Sequence, residues 1–293
     1  VWRCGRPFFI AGWGAGNSNC APMVLSEWLL SRHQHRMQYT LKKSLGQHFL
    51  HDENMCRKIV AALQERPFSQ LVEIGPGGGA ITKYLLQIPG ISFKVVEIDD
   101  EKVAYLAKTY PELAAKIIHE SVLDTDVPFD GPFTLIGNFP YNISTEIVFK
   151  VLDWKAQVEC VIGMFQKEVA QRLAAKPGSK IYGVTSVLTQ AFYNVQYLFD
   201  VPPGCFNPPP KVMSGVIRMT PVANPVSMRS EKDFRMLVKA AFNQRRKQLR
   251  NAVRAFFDEA TLQDDIFNKR AEQLGISDFA ALTFRMHGKG SAV

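Results

Sequence analysis

Cysteine is scarce and unpaired in this chain: Cys4, Cys20, Cys56, Cys160 and Cys205 are scattered through 293 residues with no CxxC. An odd, dispersed set gives neither a disulfide framework nor the ligand spacing of a zinc site. A reducing compartment, the cytoplasm, and no bound metal are therefore expected. Long apolar runs are missing too. No stretch approaches the roughly 18 uninterrupted apolar residues of a spanning helix, so no membrane segment is expected. Acidic side chains are outnumbered, 27 against 35 basic ones, which gives a net charge of +8 and a pI near 9.2. Such a balance favours a polyanionic partner, nucleic acid or an anionic surface, without choosing between them. There is no internal repeat and no low-complexity segment.

Residues 1–36 lack a clear period. Arg3 and Arg6 imitate the basic start of a signal peptide, but Gly, Asn and Pro interrupt the apolar core that should follow. This stretch is expected to be a non-domain extension, with Met37 as a plausible beginning. Residues 37–222 then alternate strand and helix patterns. Apolar runs at 71–74, 93–98, 117–118, 133–136 and 158–165 read as strands, and a last strand is expected at 215–219. Repeated β–α units predict an α/β domain with a mostly parallel sheet covered by helices. Pro221 and Pro225 mark a linker. Residues 223–293 read as a small helical domain. Its main feature is one long amphipathic helix over 234–257, with Arg246, Arg250 and Arg254 recurring every fourth residue on a single stripe. Ser277 is expected to cap a further short helix.

Two loops carry the chemistry. Gly75, Gly77 and Gly79 follow the first strand of the sheet and open a helix, as a backbone that turns sharply around a ligand requires. Gly75-x-Gly77-x-x-Ala80 also satisfies the loose dinucleotide fingerprint, and Glu97, at the end of the next strand, suits ribose hydroxyls in either case. This loop alone leaves a dinucleotide and a methyl donor both open. The second loop, Asn138-Phe139-Pro140-Tyr141, lies at the carboxyl end of the 133–136 strand. An adenine amine is a poor nucleophile because its lone pair is delocalised into the ring. The Asn138 amide oxygen and the Phe139 carbonyl can accept its two hydrogens and favour a tetrahedral nitrogen. Pro140 stiffens the turn, and Tyr141 offers a face for an extruded base. Hydride transfer has no use for such a loop, whereas a methyl donor placed opposite it completes a reaction.

The segments Leu45-Gly46-Gln47-His48-Phe49-Leu50, Glu73 to Gly79, Asn138 to Ser144 and Val201 to Val212 occur in this order. Together they resemble the small-subunit ribosomal RNA adenine dimethyltransferases, the KsgA family, from about Tyr39 onward. The resemblance implies a class I methyltransferase (Rossmann-like) fold with a small helical C-terminal domain and S-adenosyl-L-methionine as cofactor. It implies dimethylation of two adjacent adenines in a hairpin loop near the 3′ end of small-subunit rRNA, with the small ribosomal subunit as partner and a monomer as the acting form. It assigns cofactor contacts to His48, Leu50, Gly75, Glu97, Ser121 and Asn138, with His48 and Leu50 as a lid. Tyr141 and Phe206 would sandwich the target base. Ser121 departs from the family, which usually has Asp there to receive the cofactor adenine's amine; the serine hydroxyl can still accept that bond without charge, or Asp124 or a bridging water can substitute. Arg246, Arg250 and Arg254 would meet RNA phosphates. The competing readings are a large-subunit rRNA methyltransferase, a DNA adenine methyltransferase and a non-catalytic assembly or transcription factor. The Pro-rich segment at 201–212 and the basic C-terminal helix favour the small subunit over the large; a DNA enzyme would usually present Asp-Pro-Pro-Tyr and a larger target-reading region, and the intact Asn138–Tyr141 and glycine loops argue against lost catalysis.

Overall fold

The computed structural model describes residues 48–287, all within one compact unit. The expected N-terminal extension, Met37 and Leu45-Gly46-Gln47 lie outside the described residues. Nine strands are present among those described. A seven-stranded sheet contains β2 (Gln70–Ile74), β3 (Ser92–Val96), β4 (Ile117–Ile118), β5 (Phe133–Asn138), β6 (Val158–Gln166), β7 (Tyr193–Val201) and β9 (Ser214–Pro221), in the order β4-β3-β2-β5-β6-β9-β7. Its pairs are parallel as far as β6, and β9 then runs antiparallel to both β6 and β7. The remaining two strands, β1 (Phe49–Leu50) and β8 (Phe206–Asn207), pair antiparallel with each other.

The parallel strands are predominantly apolar because both sheet faces are covered. Successive residues divide between two buried clusters. Val72, Val96, Leu135, Val161 and Ile217 join one cluster with Ile147, Val148 and Val151 of the helix Ser144–Asp153. Leu71, Val95, Ile136, Ile162 and Val216 join the other with Cys56, Ile59 and Leu63 of the helix Glu53–Gln64. Asp52 caps that second helix by accepting from the Met55 N–H at 2.8 Å. After β2 the chain builds β3 and β4 on one side, then returns to place β5 and β6 on the other. This reversal between β2 and β5 is the crevice in which open α/β sheets bind ligands.

Three expectations need correction. The helix expected over 234–257 is broken: one helix spans Glu231–Asn243, and a second spans Leu249–Val253. Gln244 leaves helical geometry at φ −119 and ψ 51. The break is held by Arg245, which bonds Glu272 at 2.7 Å and the Ser179 carbonyl at 3.3 Å, and by the Leu249 N–H donating to the Lys269 carbonyl. Ala241, Leu249 and Val253 are all buried as the stripe requires, so the burial pattern survives while the continuity does not. Secondly, Ser277 is not a cap. The last helix, Ile276–Thr283, is capped at Gly275, whose N–H donates to Asp278 at 2.8 Å. Thirdly, β7 lies where no strand was expected.

Candidate active site

The glycine turn follows β2. Gly75, Gly77 and Gly79 have φ of 65, 55 and 77, a region that side chains with a Cβ disfavour. A Cβ at Gly77 would stand 2.8 Å from the Phe49 ring, so β1 lies directly on the turn. Glu97, 6% exposed, reaches back to the same turn. Its Oε2 accepts from the Gly77 N–H at 3.2 Å, and its Oε1 from the Ile98 and Asp99 N–H groups at 3.0 Å each. Burial raises its pKa, against the opposing pull of those three bonds. A carboxylate has about four acceptor positions, and these bonds take three of them.

Sequence reasoning passed over Glu73, which is fully enclosed behind the turn. It accepts from the Thr82 hydroxyl at 2.7 Å, and burial pushes its carboxyl up to about 8. A carboxylate inside an apolar strand, one residue from a glycine turn, was the available signal. Near Glu97, Lys102 and Asp99 form a buried pair at 3.4 Å, with the Lys102 ammonium 5.3 Å from the Phe49 ring centre.

The second loop leaves the adjacent strand. Glu73 pairs with Ile136, so Gly75 and Asn138 leave the sheet side by side. A Cβ on Gly75 would lie 3.9 Å from Pro140 Cδ, ordinary contact, so the two loops touch. The Asn138 Nδ2 donates to the His48 carbonyl at 2.9 Å. A carbonyl can bond only the NH₂ end of the amide, which leaves Oδ1 as the free acceptor. The Phe139 ring is buried edge-on against Phe165, with ring centres 5.1 Å apart. Gly137 and Gly163 make room for it: a Cβ on either would come within 2.7 Å of that ring. With the ring locked inward, Phe139 is left to act through its backbone.

Tyr141 is half-buried. Its hydroxyl bonds the Ser214 hydroxyl, and its ring centre lies 5.3 Å from that of His48. Burial raises its pKa. The His48 Nδ1 in turn donates to the Pro208 carbonyl at 2.9 Å. His48 thus joins the Asn138–Tyr141 loop to the Pro-rich segment, and the β1–β8 pairing and the His51 N–H to Cys205 carbonyl bond reinforce that junction.

Three of the expected site residues sit differently from the expectation. Phe206 is 2% exposed and packs with Leu50, Ile59 and Leu63, so its ring presents no face to a base; strand pairing with Leu50 turns it into the core. The Leu50 side chain is buried in that same cluster, not across the pocket mouth. The Ser121 hydroxyl accepts from the Leu123 N–H at 3.2 Å and so closes its own turn, while Asp124 is exposed. The arginine stripe is also interrupted. Arg246 lies in the turn between helices, Arg250 bonds the Asn268 side chain, and Arg254 pairs with Glu259 at 3.1 Å on the surface.

The family model described as "Ribosomal RNA adenine dimethylase" matches residues 38–282. A protein named "Ribosomal RNA small subunit methyltransferase A", from Cytophaga hutchinsonii, is 50% identical over 252 residues, covering 85% of this chain and 98% of its own. The crystal structure of a dimethyladenosine transferase from Plasmodium falciparum is similar with a TM-score of 0.66 at 23% identity, over 79% of this chain and 94% of that one. That of the 23S rRNA methyltransferase ErmE gives 0.61 at 20% identity, over 80% and 99%. These two structures bear on the fold, which is that of the class I methyltransferases.

Proposed function

The chain belongs to the ribosomal RNA adenine dimethylase family, and from that premise we propose a specific substrate, two adjacent adenines in a hairpin loop near the 3′ end of small-subunit rRNA. The protein is an rRNA adenine dimethyltransferase. The methyl donor proposed is S-adenosyl-L-methionine. The turn fits it: three glycines in left-handed geometry keep the backbone bare, and the Glu97 carboxylate lies beside them. Gly75, Glu97, Ser121, His48 and the backbone at Leu50 would hold it. Bound there, it supplies an electrophilic methyl group on a sulfonium.

The chain's own residues do the rest. Asn138 Oδ1 and the Phe139 carbonyl accept the two amine hydrogens, so the nitrogen becomes tetrahedral and its lone pair leaves ring conjugation to face the methyl donor. Tyr141, braced by Ser214, supports the flat face of the base. Fixed acceptors need no reorganisation as the amine changes shape, which lowers the barrier. No strong base is required, since the alkylated amine releases its proton to solvent. In a second methylation one of these acceptors holds the remaining hydrogen, and the pocket must admit the first methyl in place of the other.

The observation that carries this reading is the Asn138–His48 bond, which fixes the amide with its oxygen free, in a loop that touches the cofactor turn through Pro140 and Gly75. Arg246, Arg250 and Arg254 are proposed to contact RNA phosphates, which add affinity without reading sequence. A monomer acting in the cytoplasm, where small subunits are assembled, is part of the same proposal. Among the described residues no helix is long and apolar enough to cross a membrane. The relative at 50% identity carries a small-subunit name, whereas the likeness to the large-subunit enzyme is at 20% identity; this favours the small subunit as substrate. Radiolabelled methyl transfer to purified undermethylated small subunits tests the proposal. Incorporation into small-subunit rRNA is expected, and its absence with cofactor bound would refute it.

A further inference from the structure

Lys167, Asp200 and Tyr197 meet at the same edge of the sheet as Asn138, and the proposed reaction does not use them. Asn138 lies beside Met164 in the parallel β5–β6 pair, and Lys167 follows three residues later, just past the end of β6. The Lys167 N–H donates to the Met213 carbonyl at 2.9 Å, immediately before the Ser214 that braces Tyr141. Across the next two strands, Phe165 pairs with Gly215 and Gly215 with Asp200. The Lys167 ammonium spans that distance to bond Asp200 at 2.6 Å, and the Tyr197 hydroxyl donates to the other oxygen of the same carboxylate. Gly215 lies beneath: a Cβ there would stand 2.5 Å from the Tyr197 hydroxyl. Lys167 and Asp200 remain 35% and 38% exposed.

An ion pair this exposed adds little to stability. Its stronger effect is to hold a flexible lysine in one place, which lowers the entropy lost when that lysine binds something else. Asp200 takes one of the three ammonium N–H donors, and its own charge is met by both Lys167 and Tyr197. A base seated at Asn138 and Tyr141 brings its own backbone to the rim beside them, and an ammonium is a point charge suited to a phosphate oxygen. The geometry points to Lys167 as a binding site for the phosphodiester that flanks the target adenosine, with Asp200 and Tyr197 as positioning residues. This inference rests on the rRNA substrate proposed above.

The test uses the full chain and undermethylated small subunits, with Lys167→Met and Lys167→Arg beside the wild type. Lys167→Met should raise KM about tenfold, as expected for losing one charge-assisted contact, with kcat and cofactor affinity within a few-fold of wild type. The slope of log affinity against log salt should become shallower by about 0.7–0.9, the share of one phosphate contact. Lys167→Arg should recover most of both. An unchanged salt slope and KM in Lys167→Met, or a loss confined to thermal stability, would overturn the inference while leaving the proposed function intact. If the wild type itself transferred no methyl to subunits, both would fall.

Discussion

The Asn138 amide nitrogen donates to the His48 backbone carbonyl at 2.9 Å, so the segment preceding the first helix sets which end of a side chain in the sheet stays open as an acceptor. The side chain is oriented before any base arrives. This is a pre-organised acceptor, and its value lies in costing nothing to arrange at the moment of reaction.

Replacing Asn138 by Ala removes that acceptor. Methyl transfer should fall about 100-fold or more, with folding retained. Steady-state transfer alongside a thermal melt checks this, and near-normal turnover would exclude the role.

Gly137→Ala should be damaging for a different reason. Its Cβ would meet the Ile74 carbonyl at 2.6 Å and the Phe139 ring at 2.7 Å. Backbone on one side and a locked ring on the other leave little room to adjust, so stability should drop by roughly 1–3 kcal/mol. Activity should fall further than stability, because the Phe139 carbonyl moves with its ring. Denaturant unfolding and methyl transfer measured on one preparation separate the two effects. A variant as stable and active as wild type would show that the slot is loose.

Ser121→Asp should tighten cofactor binding. One carboxylate oxygen can keep the bond from the Leu123 N–H, while the other offers a charged acceptor, stronger than a hydroxyl. Calorimetry measures it. Equal or weaker binding would mean that Asp124 or a water already serves the adenine end.

Glu73 gives a pH dependence with a definite sign. Burial lifts its carboxyl from the ordinary 4.5 to about 8 in the folded protein. The folded state therefore holds this proton over a range where the unfolded chain has lost it. The resulting stabilisation is full below about 4.5 and is lost as pH rises through about 8. Glu73→Gln, neutral at every pH, should lack this component. The stability difference between wild type and variant should shift in favour of the variant between those two values. A difference that stays constant across the window would show that Glu73 titrates normally.

Much of the site was legible in the sequence because it depends on short contiguous loops at strand ends. Gly75 to Gly79 and Asn138 to Tyr141 need only their own residues and an apolar strand ahead of them. What stayed hidden depends on partners far along the chain. The half-exposed strand β7, with Asp200 near its end, acquires meaning only once Gly215 of β9 lies beside it. Phe206 enters the base pocket only through the family resemblance, since its own surroundings fit core packing equally well; its pairing with Leu50 sends it inward. The helix over 234–257 looked continuous because Ala241, Leu249 and Val253 keep an apolar spacing across the break. The interruption comes from Glu272 and Lys269, which no local pattern reveals.

The most direct test of the account is the identity of the modified nucleoside. Undermethylated small subunits incubated with the protein and S-adenosyl-L-methionine are digested, and their rRNA is mapped by mass spectrometry. The account predicts dimethyladenosine at two adjacent positions in a hairpin loop near the 3′ end of small-subunit rRNA, and greatly reduced product with Asn138→Ala. Methylation confined to large-subunit rRNA, or at another atom of adenine, would contradict it.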